Sequence, residues 1–254
     1  LLMSKDWPLA VDPSLICNNE SENEKSERGR TIIDTMIQEN IRGLKFLDFG
    51  CGEGHCVSYV EELGAELSIG YDIDKQFSDN KLTGKNKFVT DFEELKSYAP
   101  FDIILLYDVL DHLIDEEPTN IMKKIRTLCH ENTKVYCRVH PFTSKHASHL
   151  YKDVNKAYIH LVFTDEEIME IFPDLKIIPC QRVVRPFQEY KEIFTNAGFT
   201  GTGKNFESEV HKEGYNKFFR QKILSDRILD MTGFSKFPES QMSIQFIDYI
   251  LKIT

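Results

Sequence analysis

Hydrophobic and polar positions along the middle of the chain follow two alternating periods. Mainly apolar runs at residues 44–49, 67–71 and 101–107 are typical of strands buried on both faces, and shorter runs at 87–90 and 134–139 indicate two more. Between these runs, apolar residues recur three or four positions apart, which indicates helices with one buried face. Strands and helices in alternation predict an α/β fold with a mostly parallel sheet and helices on both of its faces.

The flanking segments carry weaker patterns. An apolar stripe at residues 32–37 predicts a helix that ends by Gly43, and Thr164 with Glu167 forms a capping box that begins another. The pattern further predicts strands at 176–184 and 242–251 and helices at 189–197 and 206–229.

No linker divides the chain, so the pattern predicts a single domain over residues 1–254. Its expected parts are a helical lead-in (1–43), a core (44–139), a histidine-rich insertion (140–160) and C-terminal elements (161–254).

Composition narrows the classes of function. The formal net charge of −10 repels phosphates, which disfavours broad nucleic-acid binding. The six cysteines form no C-x-x-C pair, so we expect reduced thiols and a cytoplasmic protein. No apolar run approaches the roughly 18 residues of a membrane span, and the first residues do not follow the pattern of a signal peptide. We therefore expect no membrane partner, and the composition carries no signal for an oligomeric state.

The most informative segment is the sequence DFGCGEG at residues 48–54, which follows the first predicted strand and precedes a helix. Glycines at Gly50, Gly52 and Gly54 allow a tight turn and a close approach of the backbone to a ligand. Asp72 closes the second predicted strand 18 positions after Gly54, near the spacing of about 20 at which an acid binds ribose hydroxyls. This order of strand, turn, helix, strand and acid favours a nucleoside-containing cofactor over a glycine turn without a ligand.

Two cofactor classes compete for this turn. A dinucleotide site needs G-x-G-x-x-G, but the third glycine is replaced by His55 or by Val57, depending on the starting glycine. The observed spacing is G-x-G-x-G, with Asp48 two residues before it. An acid aimed at the turn suits a cofactor with an ammonium group and no pyrophosphate, so an NAD-linked oxidoreductase is disfavoured.

Residues 44–139 resemble the class I S-adenosylmethionine (SAM) methyltransferases, whose first motif is similar to LDFGCGEG. The resemblance implies a doubly wound, mostly parallel seven-stranded sheet with an antiparallel last strand, and SAM as cofactor with S-adenosyl-L-homocysteine (SAH) as product. It implies the following contacts: Asp48, Gly50, Cys51, Gly52 and Gly54 around the amino-acid part, Asp72 at the ribose, Ile73, Asp91 and Phe92 at the adenine, and Tyr107 and Asp108 where the methionine part meets the acceptor.

An acid-x-x-acid-His motif follows the fourth predicted strand at Asp108, Asp111 and His112. One interpretation is that Asp111 and His112 only shape the loop over the cofactor. The other is chemical: if the segment turns helically, these three side chains project to one side and can bind a divalent ion or take a proton from the acceptor.

A later histidine, His160, stands where small-RNA 3′-end 2′-O-methyltransferases and ubiquinone-pathway O-methyltransferases carry a partner histidine. In those groups an E-x-x-E-H motif and the later histidine are tied to a metal. The resemblance offers Asp108, Asp111, His112 and His160 as a possible metal site, but both acids here are the shorter Asp, which disfavours a metal.

His140, His146 and His149 lie in the insertion that follows the fifth predicted strand. The carboxyl edge of such a sheet is where ligands bind, and long polar loops are often functional. We expect this loop to cover the acceptor pocket, although individual histidines can also bond backbone groups. No cysteine stands at finger-like spacing from them, which argues against a structural zinc site.

Residues 204–227 mix basic and aromatic side chains, but nearby acids almost cancel the charge. We interpret the segment as an amphipathic helix rather than an RNA-binding face, with His211 on the surface.

Together these observations predict a methyltransferase that acts on an oxygen or nitrogen atom. The candidate bases are His140, His112 and Asp111, in that order. A small metabolite is the expected acceptor. The alternatives are an RNA 2′-hydroxyl, with a metal at the acid-x-x-acid-His site, and a cofactor-binding protein without catalysis.

Overall fold

The computed structural model describes residues 7–13, 20–74, 86–175, 185–207 and 244–254. Seven strands form one sheet in the order β3-β2-β1-β4-β5-β7-β6. Strands β1 to β5 pair in parallel, whereas β7 runs antiparallel to both of its neighbours. This confirms the expected α/β fold and the antiparallel last strand.

The strands are β1 (Lys45–Phe49), β2 (Leu67–Tyr71), β3 (Asn86–Val89), β4 (Phe101–Tyr107), β5 (Cys129–Val139), β6 (Phe199–Glu207) and β7 (Ile244–Ile253). The helices are α1 (Glu22–Met36), α2 (His55–Glu62), α3 (Phe92–Lys96), α4 (Glu117–Arg126), α5 (Ile159–Val162), α6 (Asp165–Ile171) and α7 (Phe187–Asn196), with 3₁₀ turns at Leu110–His112 and Leu150–Lys152.

Alternate residues of the central strands serve two cores on opposite faces of the sheet, as a buried parallel sheet requires. Leu47 of β1 packs with α4 and α7, while Phe46 packs with α1 and α2. Ser21 and Glu24 begin α1 with a capping box, and Thr164 and Glu167 begin α6 in the same way. The capping box predicted at Thr164 is therefore confirmed.

A third apolar cluster lies apart from both faces of the sheet. It joins Trp7 to residues of the histidine-rich insertion and of α6, including Phe142, Tyr158 and Ile168. The Trp7 indole donates to Ala157 O at 2.9 Å, and two further hydrogen bonds join Val11 to Asn155. Residues 7–13, called the N-terminal strap below, are thus fastened to the insertion.

The sequence pattern missed strand β6 and placed the start of a helix at Phe206, where the strand is still running. The reason is that Gly201 and Gly203 interrupt the alternation. Both lie against the backbone or side chains of β7, so close that a Cβ atom would clash. Strand β5 also begins five residues earlier than expected, at Cys129. The strand expected at 176–184 and most of the helix expected at 206–229, with His211, lie outside the described residues.

None of the described helices has the length and apolar character needed to cross a membrane. The four described cysteines are free thiols, whereas Cys17 and Cys180 lie outside the described residues. Their expected consequence, a cytoplasmic location, stays a prediction, as does the single-domain organisation.

Candidate active site

The glycine turn after β1 has a backbone that only glycine adopts without strain. Gly50, Gly52 and Gly54 have φ of +83°, +51° and +79°. The amides of Gly50 and Cys51 both donate to Tyr71 O, at 2.7 and 3.1 Å, which fixes the turn against the end of β2. A Cβ on Gly52 would meet nothing within 4 Å, so the turn has open space on that side.

Asp72 lies at the end of β2, beside this turn. Its Oδ2 accepts from the Gly52 amide at 3.0 Å, and its Oδ1 accepts from the Asp74 amide at the same distance. Ile73, the next residue, is 80% exposed. A half-buried carboxylate next to an exposed aliphatic side chain offers a polar contact and an apolar contact side by side.

Asp48 is the buried acid of the motif, only 3% exposed. No described residue forms a hydrogen bond to its carboxylate. Burial, and then the charge of Asp72, raise its pKa to about 7. A buried carboxylate without a partner costs free energy unless a cation or a hydrogen-bond donor reaches it. Binding of a positively charged group next to Asp48 would remove this cost.

The other expected cofactor residues lie near this edge with partners of their own. Asp91 caps α3 by accepting from Glu94 N at 2.8 Å, and Phe92 packs edge-on against Tyr71. The Tyr107 hydroxyl accepts from Arg138 Nη1 at 3.0 Å. Cys51 is partly buried, with its Sγ 3.7 Å from Gly52 O.

Beyond β4, the acid-x-x-acid-His motif is helical only in part. Leu110–His112 forms one 3₁₀ turn, and Asp108 stands outside it with a left-handed backbone, φ +54°. The structure therefore does not align Asp108, Asp111 and His112 along one helical face. Non-glycine residues in this conformation are uncommon and cluster at functional sites.

Asp111 pairs with His140 rather than with its sequence neighbour His112. Asp111 Oδ2 lies 2.9 Å from His140 Nδ1 and also accepts from the His140 amide at 3.2 Å. The pairing follows from topology, because β4 and β5 are parallel neighbours and both residues follow their carboxyl ends. His140 Nδ1 also lies 3.4 Å from Asp108 Oδ1.

His149 joins Asp111 and His140 from a later part of the insertion. These three residues, with His112 and His146, are called the histidine group below. The Nε2 of His149 lies 3.5 Å from Asp111 Oδ2, and its ring lies tilted against that of His112 with centroids 4.1 Å apart. His149 also has a left-handed backbone, φ +55°. His146 lies against His140, with ring centroids 4.7 Å apart.

Burial and charge act in opposite directions on these groups. Burial alone would raise the pKa of Asp111, but the His140 hydrogen bond and the nearby His149 hold that pKa well below its usual range. Burial would lower the pKa of His140, but Asp108 and Asp111 raise it. Burial raises the pKa of Asp108 to about 6, because the charge of His140 offsets the effect of burial only in part. Burial lowers the pKa of His112 to about 4, so its ring is neutral.

His160 does not join this group. Its Nε2 lies 2.6 Å from Phe142 O, and burial lowers its pKa to about 4. The ligand set expected from the resemblance, Asp108, Asp111, His112 and His160, is therefore not assembled. In the described part of the chain, the ligand sets close enough for a metal are Asp111–His140–His149 and Glu22–Glu53–His55.

The histidine group faces a cavity of about 390 Å³. Its walls come from the end of β4, the insertion, the N-terminal strap and the start of β7. The lining residues are Ala10, Val11, Asp12, Asp108, His112, His140, Lys145, His146, His149, Tyr151 and Gln245. The expectation that the insertion covers a pocket agrees with this arrangement, although its buried apolar residues make it more than a polar loop.

Sequence reasoning missed several residues of this site. Arg185 is 2% exposed and donates to Leu110 O and Asp115 O, at 3.3 and 3.2 Å, so it clamps the loop that carries Asp111. Asp12 lines the cavity from a segment that showed no motif, and Lys145 lines it from the insertion, where the sequence analysis named only histidines. The only available signal was Trp7, the single tryptophan of the chain, close to the strap's start.

The glycine turn packs against the loop beside the cavity. A Cβ on Gly50 would come within 2.6 Å of Val109 Cγ2, so the turn packs directly on the residue after Asp108. The ligand-binding edge of β1 and β2 and the cavity after β4 and β5 are therefore neighbours.

Comparison with known structures identifies the same architecture. Magnesium protoporphyrin IX methyltransferase from Synechocystis PCC 6803, with bound SAH, aligns with a TM-score of 0.54 and 14% identity, over 95% of this chain and 92% of its own. A plantazolicin methyltransferase in complex with a triazolic desmethylPZN analog and SAH gives 0.52 and 19%, over 94% and 90%. A SAM-dependent methyltransferase from Archaeoglobus fulgidus gives 0.52 and 18%, over 91% and 94%.

No curated protein matches the chain. The profile of the methyltransferase domain matches residues 21–202, well over half of the chain, including the glycine turn, Asp72, Asp111 and the histidine group. The chain therefore belongs to the methyltransferase-domain family, and it is a class I SAM-dependent methyltransferase.

Proposed function

We propose that this methyltransferase acts on an oxygen or nitrogen atom of a small acceptor bound in the cavity beside Asp108 and His140. The observation that carries the proposal is the Asp111–His140 pair, which lies at the carboxyl ends of β4 and β5 and faces that cavity.

The residues around the glycine turn fit SAM. Asp72 is placed to accept from the ribose hydroxyls, exposed Ile73 offers an apolar surface for the adenine, and the unpartnered Asp48 suits the ammonium group. Open space at Gly52 allows a ligand to approach the backbone. Once bound, SAM supplies a methyl group on a positively charged sulfur. Asp91, Phe92, Tyr107, Cys51 and Asp108 complete the proposed cofactor contacts.

His140 is the proposed base. Its Nδ1 donates to Asp111, which leaves Nε2 as the basic atom of the ring. The acceptor atom forms its bond to the methyl carbon as the carbon–sulfur bond breaks, the electron pair of that bond stays on sulfur, and Nε2 takes the acceptor's proton. Asp111 fixes the tautomer of His140, and neutral His112 holds His149 against the cavity wall.

The shape of the cavity favours a small molecule as acceptor. A volume of about 390 Å³ lies within the range of small-molecule sites. The N-terminal strap forms one wall, which limits access for a long polymer. The net charge of −10 opposes the phosphates of RNA.

The test is a methyl-transfer assay with radiolabelled SAM over hydroxyl- and amine-bearing metabolites and short RNAs. We expect transfer to a metabolite and none to RNA, and His140→Ala should lower turnover by roughly 10²–10⁴-fold, the range for a general base. His130→Ala is the matched control, because His130 pairs with Asp102 at the opposite end of β5.

Two results would contradict the proposal. Transfer to RNA, with binding that falls steeply as salt rises, would assign a nucleic-acid acceptor. Full turnover in His140→Ala would remove His140 as the base.

A further inference from the structure

Two groups of potential metal ligands occur among the described residues. They differ in whether a basic side chain already balances the negative charge of their carboxylates. At Glu22, Glu53 and His55, the ammonium of Lys25 lies 3.1 Å from Glu22 and 2.8 Å from Glu53. That group is an exposed ion-pair network. At Asp111, His140 and His149, no lysine or arginine among the described residues forms an ion pair with the carboxylate of Asp111, which is 2% exposed.

The spacing of the second group matches a coordination sphere. A tetrahedral ion with bonds of 2.0–2.1 Å holds its ligand atoms about 3.3–3.4 Å apart. Asp111 Oδ2 lies 2.9 Å from His140 Nδ1 and 3.5 Å from His149 Nε2, and all three atoms lie within 4.8 Å of one another. Small movements of the two rings would bring them to bonding distance of one ion.

Hydrogen bonding accounts for only part of this arrangement. His149 Nε2 is buried without a hydrogen-bond partner, because 3.5 Å is too long for a good bond to Asp111. Asp111 Oδ1 is likewise buried and unpartnered within the described residues. Each such atom costs free energy. The left-handed backbone that points His149 into the group adds strain at the same place.

We propose that Asp111, His140 and His149 bind a divalent transition-metal ion, with zinc as the expected type, and leave one position open to the cavity. Two imidazoles and one carboxylate favour such an ion over Mg²⁺ or Ca²⁺, which prefer all-oxygen sites. Three protein ligands with an open fourth position are the arrangement of catalytic rather than structural zinc sites.

This set shares only Asp111 with the one implied by the family resemblance, and it arises from the contact between β4, β5 and the insertion. The ion's role in methyl transfer rests on the proposed function, whereas its binding does not. With the ion bound, His140 Nδ1 is a ligand and the open position is the place for the acceptor atom. The Asp111–His140 base pair is then the metal-free form of the same site.

The test uses the full chain stripped with a chelator. Calorimetry with Zn²⁺ should give one site per chain, Co²⁺ should give visible absorption bands, and Mg²⁺ should give neither. His149→Ala should weaken Zn²⁺ binding by more than about tenfold, since even loss of an outer-shell partner costs roughly 10–100-fold. His146→Ala, on the same cavity wall but outside the set, should keep it.

SAH binding, measured on the same samples, reports whether each variant is folded. Wild-type protein that binds SAH but neither Zn²⁺ nor Co²⁺ overturns the inference, and so does undiminished Zn²⁺ binding in His149→Ala. If His149→Ala fails to bind SAH, His149→Gln, of similar size, takes its place under the same criteria. Activity in fully stripped protein that is lost in His140→Ala would keep the proposed function and show the ion to be dispensable for transfer.

Discussion

The two proposed halves of the active site, one for the cofactor and one for the acceptor, are built in different ways. The cofactor half comes from one continuous stretch, residues 48–54, with Asp72 at the end of the adjacent strand. The acceptor half gathers residues from Ala10 to Gln245 around one cavity. The first is a local motif whose chemistry is fixed by glycines, and the second exists only once the sheet and the insertion have folded together.

This difference explains which half identifies the enzyme class. A turn that binds the common cofactor can be shared by proteins with many acceptors, because its geometry depends on few positions. The acceptor half depends on the insertion and the N-terminal strap, whose contacts join residues far apart in the sequence. Variants should therefore affect cofactor binding and acceptor chemistry separately.

The largest separation is expected from Asp111→Asn. The amide keeps the size of the side chain but removes the charge that orients His140, so kcat should fall by roughly 10²–10⁴-fold, the contribution of a positioned base. SAH affinity, measured by calorimetry, should stay within about twofold, because the polar contacts of Asp111 among the described residues go to His140 and His149 rather than to the glycine turn. A parallel loss of SAH affinity would mean that the two halves are not separable.

The opposite variant, Asp72→Ala, should act on the cofactor half. It removes hydrogen bonds to a charged acceptor, worth about 1.5–3 kcal/mol, so SAM affinity should fall by roughly 10–150-fold. Zn²⁺ binding at the histidine group should not change. Asp74→Ala is the matched control, as Asp74 is the exposed acid two residues on, with its backbone amide already bonded to Asp72.

Sequence reasoning succeeded where the signal was local. The central strands, the glycine turn and the capping box at Thr164 all follow from short-range patterns, and the structure places them as expected. Strand β6 was missed because Gly201 and Gly203 hide its alternation, although their missing side chains are what allows the close approach of β7.

The acceptor half was predicted as a list of residues but not as an arrangement. Asp111 and His140 are 29 positions apart, and only the parallel pairing of β4 with β5 brings them together. The resemblance suggested His160 as a possible ligand, whereas the fold buries His160 against Phe142 O and brings His149 close to Asp111 instead. No periodicity could reveal Arg185, whose role depends on two carbonyls some 70 residues away.

A smaller effect should come from pH, through Asp48. Burial raises the pKa of Asp48 to about 7. The unfolded chain therefore ionises this carboxyl group near pH 4, whereas the folded protein keeps it protonated up to about pH 7. As pH rises between these values, Asp48 lowers the free energy of unfolding. Binding of an ammonium group requires the carboxylate, so SAM affinity should rise about fivefold from pH 6 to pH 7, below the range where an α-amino group loses its proton.

Asp48→Asn tests whether ionisation of Asp48 causes the pH dependence of SAM affinity. The variant should bind SAM more weakly and with little dependence on pH over the same range, as measured by calorimetry in buffers of matched ionic strength. An equally steep pH dependence in Asp48→Asn would show that a group other than Asp48 titrates, and the proposed role of Asp48 would be unsupported.

An effect of similar size should show whether the acceptor half depends on the strap. Asn155 Nδ2 donates to Val11 O at 2.8 Å, and its Oδ1 accepts from Val11 N at 2.9 Å. Asn155→Ala removes both bonds, each worth about 0.5–1.5 kcal/mol. The cavity histidines should then react about fivefold faster with diethyl pyrocarbonate, read by mass spectrometry, while SAH affinity stays constant. Asn132→Ala, exposed in β5, is the control. Unchanged reactivity would mean that the packing of Trp7 and the hydrogen bonds of Trp7 and Pro8 to Ala157 hold the strap without the Asn155 pair.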